Sequence, residues 1–150
     1  MIKAVRTDST SQDFINLVHL LDKELAQRDG DDHPFYAQYN KIDNIKYAVV
    51  AYVDNVPVGC GAIKEYSDDT MEVKRMFVSN EQRSRGIGGI ILKELESWAV
   101  ELNFSHLILE TGKKQPEAIR LYQKNNYSII SNYGQYVGVN NSVCMSKSIR

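Results

Sequence analysis

Cysteine, histidine and excess charge are all scarce in this 150-residue chain, which has two cysteines, three histidines and a net charge of −1. Cys60 and Cys144 lie far apart, and neither belongs to a Cys-x-x-Cys pair, so the sequence has no zinc signature. No two of the histidines, His19, His33 and His106, have the spacing of metal ligands. We therefore expect no metal, and the near-neutral charge argues against a general nucleic-acid-binding surface.

Long apolar runs are also missing. No stretch approaches the length of a transmembrane helix, and the first six residues lack the apolar segment of a signal peptide. Two separated cysteines in apolar stretches fit a reducing compartment. We therefore expect a cytoplasmic protein with no membrane partner, folded as one domain over residues 1–150.

The most informative segment present is Arg83-Ser84-Arg85-Gly86-Ile87-Gly88-Gly89. It follows an extended segment, Met71 to Val78, and opens a long amphipathic run, Ile87 to Leu102. The first amides of a helix have no intrahelical partner, and the helix dipole makes that end positive. Glycines let a phosphate approach the backbone, and arginines add charged donors. The segment therefore predicts an anion site; the alternative is a flexible basic turn.

Two common phosphate motifs do not fit this segment. A Walker A loop ends in Gly-Lys-Ser/Thr, whereas Gly88 is followed by Gly89 and Ile90. The dinucleotide fingerprint needs a third glycine where Ile91 stands, and no acidic ribose ligand follows a suitable second strand. What remains is Arg-x-x-Gly-x-Gly between a strand and a helix.

This pattern resembles the pyrophosphate-binding motif of the GNAT superfamily of acetyl-CoA-dependent N-acetyltransferases. In that family the loop amides and basic side chains hold the pyrophosphate of coenzyme A. Ser84 stands where many members have glycine, but only its amide is needed. The resemblance makes acetyl-CoA the expected co-substrate and gives a coenzyme-binding role to Arg83, Ser84, Arg85, Gly86, Ile87, Gly88 and Gly89.

The order of predicted elements is also that of the GNAT fold. We expect an α/β (α+β sandwich-like) protein with a mixed, mostly antiparallel sheet, a central splayed parallel pair and flanking helices. The parallel pair would be Met71–Val78 and His106–Glu110, joined by a right-handed crossover. Pro34–Asp43 is expected to be a short helix or loop. The other predicted strands are Ile2–Arg6, Tyr47–Val53, Val56–Glu65, Tyr127–Ile130 and Ser142–Lys147, and the other helices begin near Phe14 and at Pro116.

The resemblance also implies how the thioester is held. GNAT proteins polarise its carbonyl with a backbone amide on the strand before the loop, which corresponds to Met76, Phe77 and Val78. Gln115 stands where many members have an asparagine that contacts the coenzyme arm, and the longer amide could still reach.

Glu72 and Tyr122 are the catalytic candidates. Glu72 aligns with the general base of histone-type members, and a half-buried carboxylate can have its pKa raised by desolvation. It could instead be a solvent-facing strand residue paired with Lys74. Tyr122 matches the helix tyrosine that protonates the leaving thiolate in many members, although a tyrosine on an amphipathic helix also fits a core role. Glu110, at the end of an apolar strand, is the second candidate base.

The acceptor is expected to be a small primary amine or an amino acid. If Glu72 faces the cleft, strand alternation places Lys74 on the same face, and a carboxylate beside a cation suits a zwitterion. Glu110, Tyr133 and Tyr136 complete the expected acceptor pocket. A non-catalytic acyl-CoA sensor, a protein lysine or N-terminal acetyltransferase, and a homodimeric assembly all remain open.

Overall fold

The computed structural model describes residues 1–32, 34, 44–83 and 85–150. The helix or loop expected at Pro34–Asp43 lies outside these residues except for Pro34, and Ser84 also lies outside them. The strands are β1 (Ile2–Thr7), β2 (Tyr47–Val53), β3 (Val56–Ser67), β4 (Thr70–Val78), β5 (His106–Gly112), β6 (Ser128–Ile130) and β7 (Ser142–Ser148), and the helices are α1 (Gln12–Asp29), α2 (Ile87–Glu101) and α3 (Pro116–Lys124).

The strands form one sheet in the order β1-β2-β3-β4-β5-β7-β6. All neighbours are antiparallel except β4 and β5, and this parallel pair is joined through α2 as the sequence predicts. Its register covers only three residues, from Thr70 with His106 to Glu72 with Ile108. Beyond Glu72 the two strands separate, which opens a cleft in the middle of the sheet.

Helices cover both faces of the sheet. Phe14, Leu17 and Val18 of α1 are buried against one face, and α2 buries Ile91, Leu92 and Leu95 against the other. These side chains follow the helical spacing seen in the sequence.

The ends of two helices follow from local chemistry. The Ser11 hydroxyl caps α1 by accepting from the Phe14 amide at 3.2 Å. Gly30 ends the same helix with a φ of 55°, and Asn126 follows α3 with a φ of 72°. Both are residues that tolerate the left-handed region, which suits the backbone where a helix ends.

A β-bulge interrupts β4 at Arg75 and Met76. The register with β3 shifts there, so that two residues of β4 lie opposite Gly61. Arg75 has a φ of 61°, a left-handed conformation that costs a non-glycine residue about 1–2 kcal/mol. Because of the bulge, Lys74 and Arg75 both lie on the α1 side of the sheet instead of alternating.

Gly61 is required by this bulge. A Cβ atom at Gly61 would lie 2.5 Å from the sulfur of Met76 and 2.9 Å from Ile91. A Cβ at Gly59 would lie 2.9 Å from the backbone oxygen of Phe77. A side chain at either position would therefore collide with its neighbours.

Candidate active site

Two adjoining cavities lie where β4 and β5 separate. The outer one, about 440 Å³, runs between the end of β4, the loop before α2 and one side of α3. The inner one, about 110 Å³, lies between the diverging strands and beneath α1. Met76, Gln115 and Tyr122 line both, as do Leu21 and Ala118. The two spaces therefore meet at one shared wall.

The start of α2 forms one end of the outer cavity. Gly86 is its N-cap residue, with a φ of 79° and no capping side chain. The first amides of the helix are therefore not taken by a side-chain cap, and the positive end of its dipole faces the same region. Gly86, Ile87 and Gly88 all line the cavity.

The two arginines of the loop differ in their surroundings. Arg83 lines the outer cavity, and it donates to the Val78 carbonyl at 2.8 Å and to Glu24 of α1 at 2.6 Å. Arg85 donates to Gln82 at 2.5 Å on an exposed surface. Arg83 thus ties the loop to α1.

Gly88 and Gly89 have different neighbours. A Cβ at Gly88 would lie 2.9 Å from a methyl carbon of Leu121 on α3, whereas a Cβ at Gly89 would be 3.4 Å from the Asn125 side chain. Gly88 therefore lets α2 approach α3 closely, a reason for glycine that the sequence motif does not reveal.

Sequence reasoning missed four charged residues of the outer cavity. Glu117, Arg120 and Lys124 of α3 and Glu24 of α1 line it. The sequence did contain a signal for Arg120 and Lys124, because two residues four positions apart on a helix share one face. Glu24 gave no such signal, since it is brought there by tertiary folding. Cations beside a helix N-terminus at one end of the cavity and Tyr122 at the other fit a long, phosphorylated thioester such as acetyl-CoA.

The bulge turns one backbone amide toward the cleft. The Cys60 thiol donates to the Arg75 carbonyl at 3.3 Å, and burial raises the pKa of this thiol to about 12, so it keeps its proton at neutral pH. In a trans peptide the N–H points opposite to the C=O. The Met76 N–H therefore points away from β3, on the side where β4 has left β5.

The inner cavity gathers Glu72, Lys74, Glu110 and Tyr136. The Tyr133 hydroxyl donates to Glu72 at 2.5 Å, and Lys74 Nζ lies 3.8 Å from the other Glu72 oxygen. The expected placement of Glu72 and Lys74 on one face is confirmed. Burial lowers the pKa of Lys74, and the Glu72 charge partly offsets this.

Two tyrosines stand beside these carboxylates. The rings of Tyr133 and Tyr136 meet edge to face at 5.8 Å between centroids. Burial, and then the negative charge of Glu72, raises the pKa of Tyr133. Burial, and then Glu110, raises the pKa of Tyr136. Both phenols are therefore protonated donors at neutral pH.

Tyr122 lies on the wall that both cavities share. Tyr122 is only 6% exposed, and its ring packs against that of Tyr127 with 5.9 Å between the ring centroids. Burial, reinforced by the charge of Glu110, raises the pKa of Tyr122. Phe77 and Val78 line only the outer cavity, so Met76 alone of the three expected strand residues reaches both.

A sheet opened at one short parallel pair, with a glycine-capped helix beside the opening, defines an acyl-CoA N-acyltransferase. The chain belongs to the Acetyltransferase (GNAT) family, whose sequence model matches residues 14–127, and it is an enzyme of the acetyl-CoA-dependent N-acetyltransferase class. The suspected family and the fold expected for it are thus confirmed.

Individual relatives agree with this placement. The chain is 33% identical over 141 residues to an IAA acetyltransferase of Azospirillum brasilense, covering 88% of each chain. A candidate acyl-CoA N-acyltransferase from Klebsiella pneumoniae superposes with a TM-score of 0.84 at 26% identity, over 100% of this chain and 99% of that one. A candidate streptothricin acetyltransferase from Bacillus anthracis, solved in complex with acetyl coenzyme A, gives 0.61 at 19% identity over 74% of this chain and 66% of that one.

Across residues 1–32, 34, 44–83 and 85–150, no helix combines the length and apolarity that a membrane crossing needs. Over the same ranges, no three His, Cys, Asp or Glu side chains come together as metal ligands would.

Proposed function

We propose that the protein transfers the acetyl group of acetyl-CoA to the primary amine of a small, amino-acid-like molecule by direct attack in a ternary complex. The observation that carries this proposal is the shared wall, because Met76, Gln115 and Tyr122 stand where a molecule in the outer cavity would meet one in the inner cavity. The Bacillus anthracis protein was solved in complex with acetyl coenzyme A, which supports the choice of donor.

The coenzyme would occupy the outer cavity. Amides of residues 85–89 at the α2 N-terminus, together with the side chains of Arg83 and Arg85, are proposed to hold its pyrophosphate. Arg120 and Lys124 line the same cavity and would add positive charge. When bound, acetyl-CoA supplies an activated acyl group. The backbone near Met76, Phe77 and Val78 would face its carbonyl, and Gln115 its arm.

Proton transfer is assigned to two side chains. Glu72, fixed by Tyr133 and Lys74, is proposed as the base that takes a proton from the acceptor ammonium, with Glu110 as the second candidate. Tyr122 is proposed as the acid that returns a proton to the coenzyme sulfur. Its raised pKa keeps the phenol protonated until a strong base such as a thiolate forms beside it.

The inner cavity supports a small acceptor that carries both charges. Its volume of about 110 Å³ suits a side chain more than a peptide segment. Glu72 and Glu110 would attract an ammonium, and Lys74 would attract a carboxylate. Tyr136 adds aromatic surface to the cavity, and the Tyr133 hydroxyl donates to Glu72 at its edge.

The test measures release of coenzyme A thiol with a panel of amines. Each amino acid is paired with its amide, and polyamines, lysine peptides and peptides with a free N-terminus complete the panel. We expect an amino acid to have the highest kcat/KM and to exceed its amide. Lys74→Met should erase that preference, while Glu65→Gln, a change at an exposed position of β3, should leave it intact.

Other outcomes would contradict the proposal. Equal rates for the acid and the amide would remove Lys74 from the acceptor site. Preference for peptides would make the protein a protein acetyltransferase. Tight binding of acetyl-CoA without turnover of any amine would make it a sensor.

A further inference from the structure

We propose that the ion pair between the buried Arg75 side chain and Asp22 of α1 fixes the bulge of β4, and that it thereby aims the Met76 amide into the cleft. Arg75, which also lines the inner cavity, would then be a positioning residue for acyl transfer that acts through the peptide bond to Met76. The inference rests on the proposed function, because it concerns the amide assigned to the thioester carbonyl.

The sequence of β4 requires an interruption of strand alternation at Arg75. By simple alternation, Arg75 would share a face with Met71 and Val73, both of which are buried in the core under α2. A guanidinium on that apolar face would lose its hydration without gaining a partner. The bulge carries Arg75 to the opposite face instead, where Asp22 of α1 can meet it.

The ion pair is well placed to hold the backbone. The Arg75 side chain is 3% exposed, and its Nη1 lies 3.1 Å from Asp22 Oδ1. Its Nε is buried and has no hydrogen-bond partner among the residues that the structure describes. Asp22 is therefore the carboxylate that anchors this guanidinium, and its side chain is 44% exposed on α1.

Arg75 determines the orientation of the peptide group that carries the Met76 amide. Arg75 holds a left-handed backbone conformation that is unfavourable for a side chain, and its carbonyl accepts from Cys60. Neither Arg75 nor Met76 has a register partner on β3, and the pairing with β5 ends at Glu72. The sheet ladder therefore does not orient the Met76 amide. The peptide group between Arg75 and Met76 is instead held by the Arg75 side chain, through Asp22, and by the Cys60 thiol, which donates to its carbonyl.

The ion pair also connects the bulge to α1. Leu21, the neighbour of Asp22, lines both cavities. The ion pair thereby fixes the distance between α1, which covers the inner cavity, and the bulge. One contact thus positions both the Met76 amide and the space for the acceptor.

The experiment compares Asp22→Asn and Arg75→Gln with the wild type. Asp13→Asn is the matched control, since Asp13 lies on the same helix but binds the Tyr52 hydroxyl at 2.7 Å. We expect both test variants to lower kcat roughly 10- to 100-fold, with KM for acetyl-CoA changed less than about threefold, because an oriented donor is lost while the coenzyme anchors remain. The double variant should be no slower than the slower single variant, because both remove one contact. Arg75→Lys should recover part of the rate.

A spectroscopic readout separates this inference from the choice of acceptor. The infrared carbonyl band of bound, ¹³C-labelled acetyl-CoA should move to lower frequency in the wild type and in Asp13→Asn. In Asp22→Asn most of that shift should be lost, and this result would support the inference even if no amine were turned over. If Asp22→Asn does not fold, Arg75→Gly/Asp22→Asn removes both charges and the left-handed strain, and the same loss is expected.

An unchanged carbonyl band in a folded variant would overturn the inference while leaving the transferase activity in place. A lower melting temperature with wild-type kcat and an unchanged band would likewise reduce the ion pair to a structural contact.

Discussion

At the scale of single residues, Tyr122 links the two halves of the site. It lines both cavities, and it is the only tyrosine of the described residues that does so. Burial raises its pKa, so its hydroxyl is a weak acid that would release its proton only to a strong base. That property suits protonation of a leaving thiolate and excludes a role as a base at neutral pH.

Replacing Tyr122 tests that role. We expect Tyr122→Phe to lower kcat roughly 10²- to 10⁴-fold, with the affinity for acetyl-CoA nearly unchanged, because the ring still fills its place beside Tyr127. The measurement is steady-state kinetics together with direct binding of coenzyme A. Tyr52→Phe is the control, since Tyr52 binds Asp13 away from both cavities. A Tyr122→Phe enzyme at full rate would leave the tyrosine with packing alone.

At the scale of elements, the outer cavity depends on how closely α2 approaches α3. Gly88 makes this approach possible, because a Cβ there would meet Leu121 at 2.9 Å. Leu121 also lines the outer cavity. The glycine motif thus has a packing role beside the phosphate role expected from its sequence.

Two neighbouring glycines provide a matched pair. We expect Gly88→Ala to lower the free energy of unfolding, since overpacking costs about 1–3 kcal/mol and outweighs the better helix propensity of alanine. Gly89→Ala should be neutral or stabilising by up to about 1 kcal/mol, because its nearest neighbour leaves room. Denaturant unfolding without coenzyme measures both. Equal stability of the two variants would contradict the packing role of Gly88.

Helix α1 is also tied to the coenzyme side of the molecule. Glu24 binds Arg83 at 2.6 Å and Arg28 at 3.1 Å, and Arg28 in turn pairs with Glu117 of α3. Glu24 and Glu117 place negative charge on the wall of a cavity proposed to hold a pyrophosphate.

Removing one of these charges should strengthen coenzyme binding. We expect Glu24→Gln to tighten coenzyme A roughly threefold to tenfold, because repulsion falls and Arg83 is no longer neutralised. Arg83→Gln should weaken it. Glu81→Gln is the control, as Glu81 is an exposed acid beside the same loop. Isothermal titration at two salt concentrations measures all three; weaker binding in Glu24→Gln would show that Glu24 acts by holding Arg83 in place.

At the scale of the whole molecule, the sequence predicted features that depend on neighbouring residues better than it predicted contacts between distant segments. Strand alternation placed Glu72 beside Lys74, and the glycine-rich segment predicted a helix that begins near Ile87. These features depend on neighbours in sequence, so one chain is enough to infer them.

The features that sequence missed join distant segments. Arg75 meets Asp22 across 53 positions, and Arg83 meets Glu24 across 59. A charged residue on the apolar face of β4 was a sign of the bulge, but its partner could come only from tertiary folding. The shared wall at Tyr122 has the same origin, since β4, α1 and α3 contribute to it.

The central claim is direct transfer between the two cavities. Initial velocities measured while both acetyl-CoA and the best amine are varied, with the intact mass of the protein after exposure to acetyl-CoA alone, test it most directly. We predict intersecting double-reciprocal lines and a protein of unchanged mass, since both substrates must be bound before the acetyl group moves. Parallel lines together with a protein heavier by one acetyl group would contradict the account.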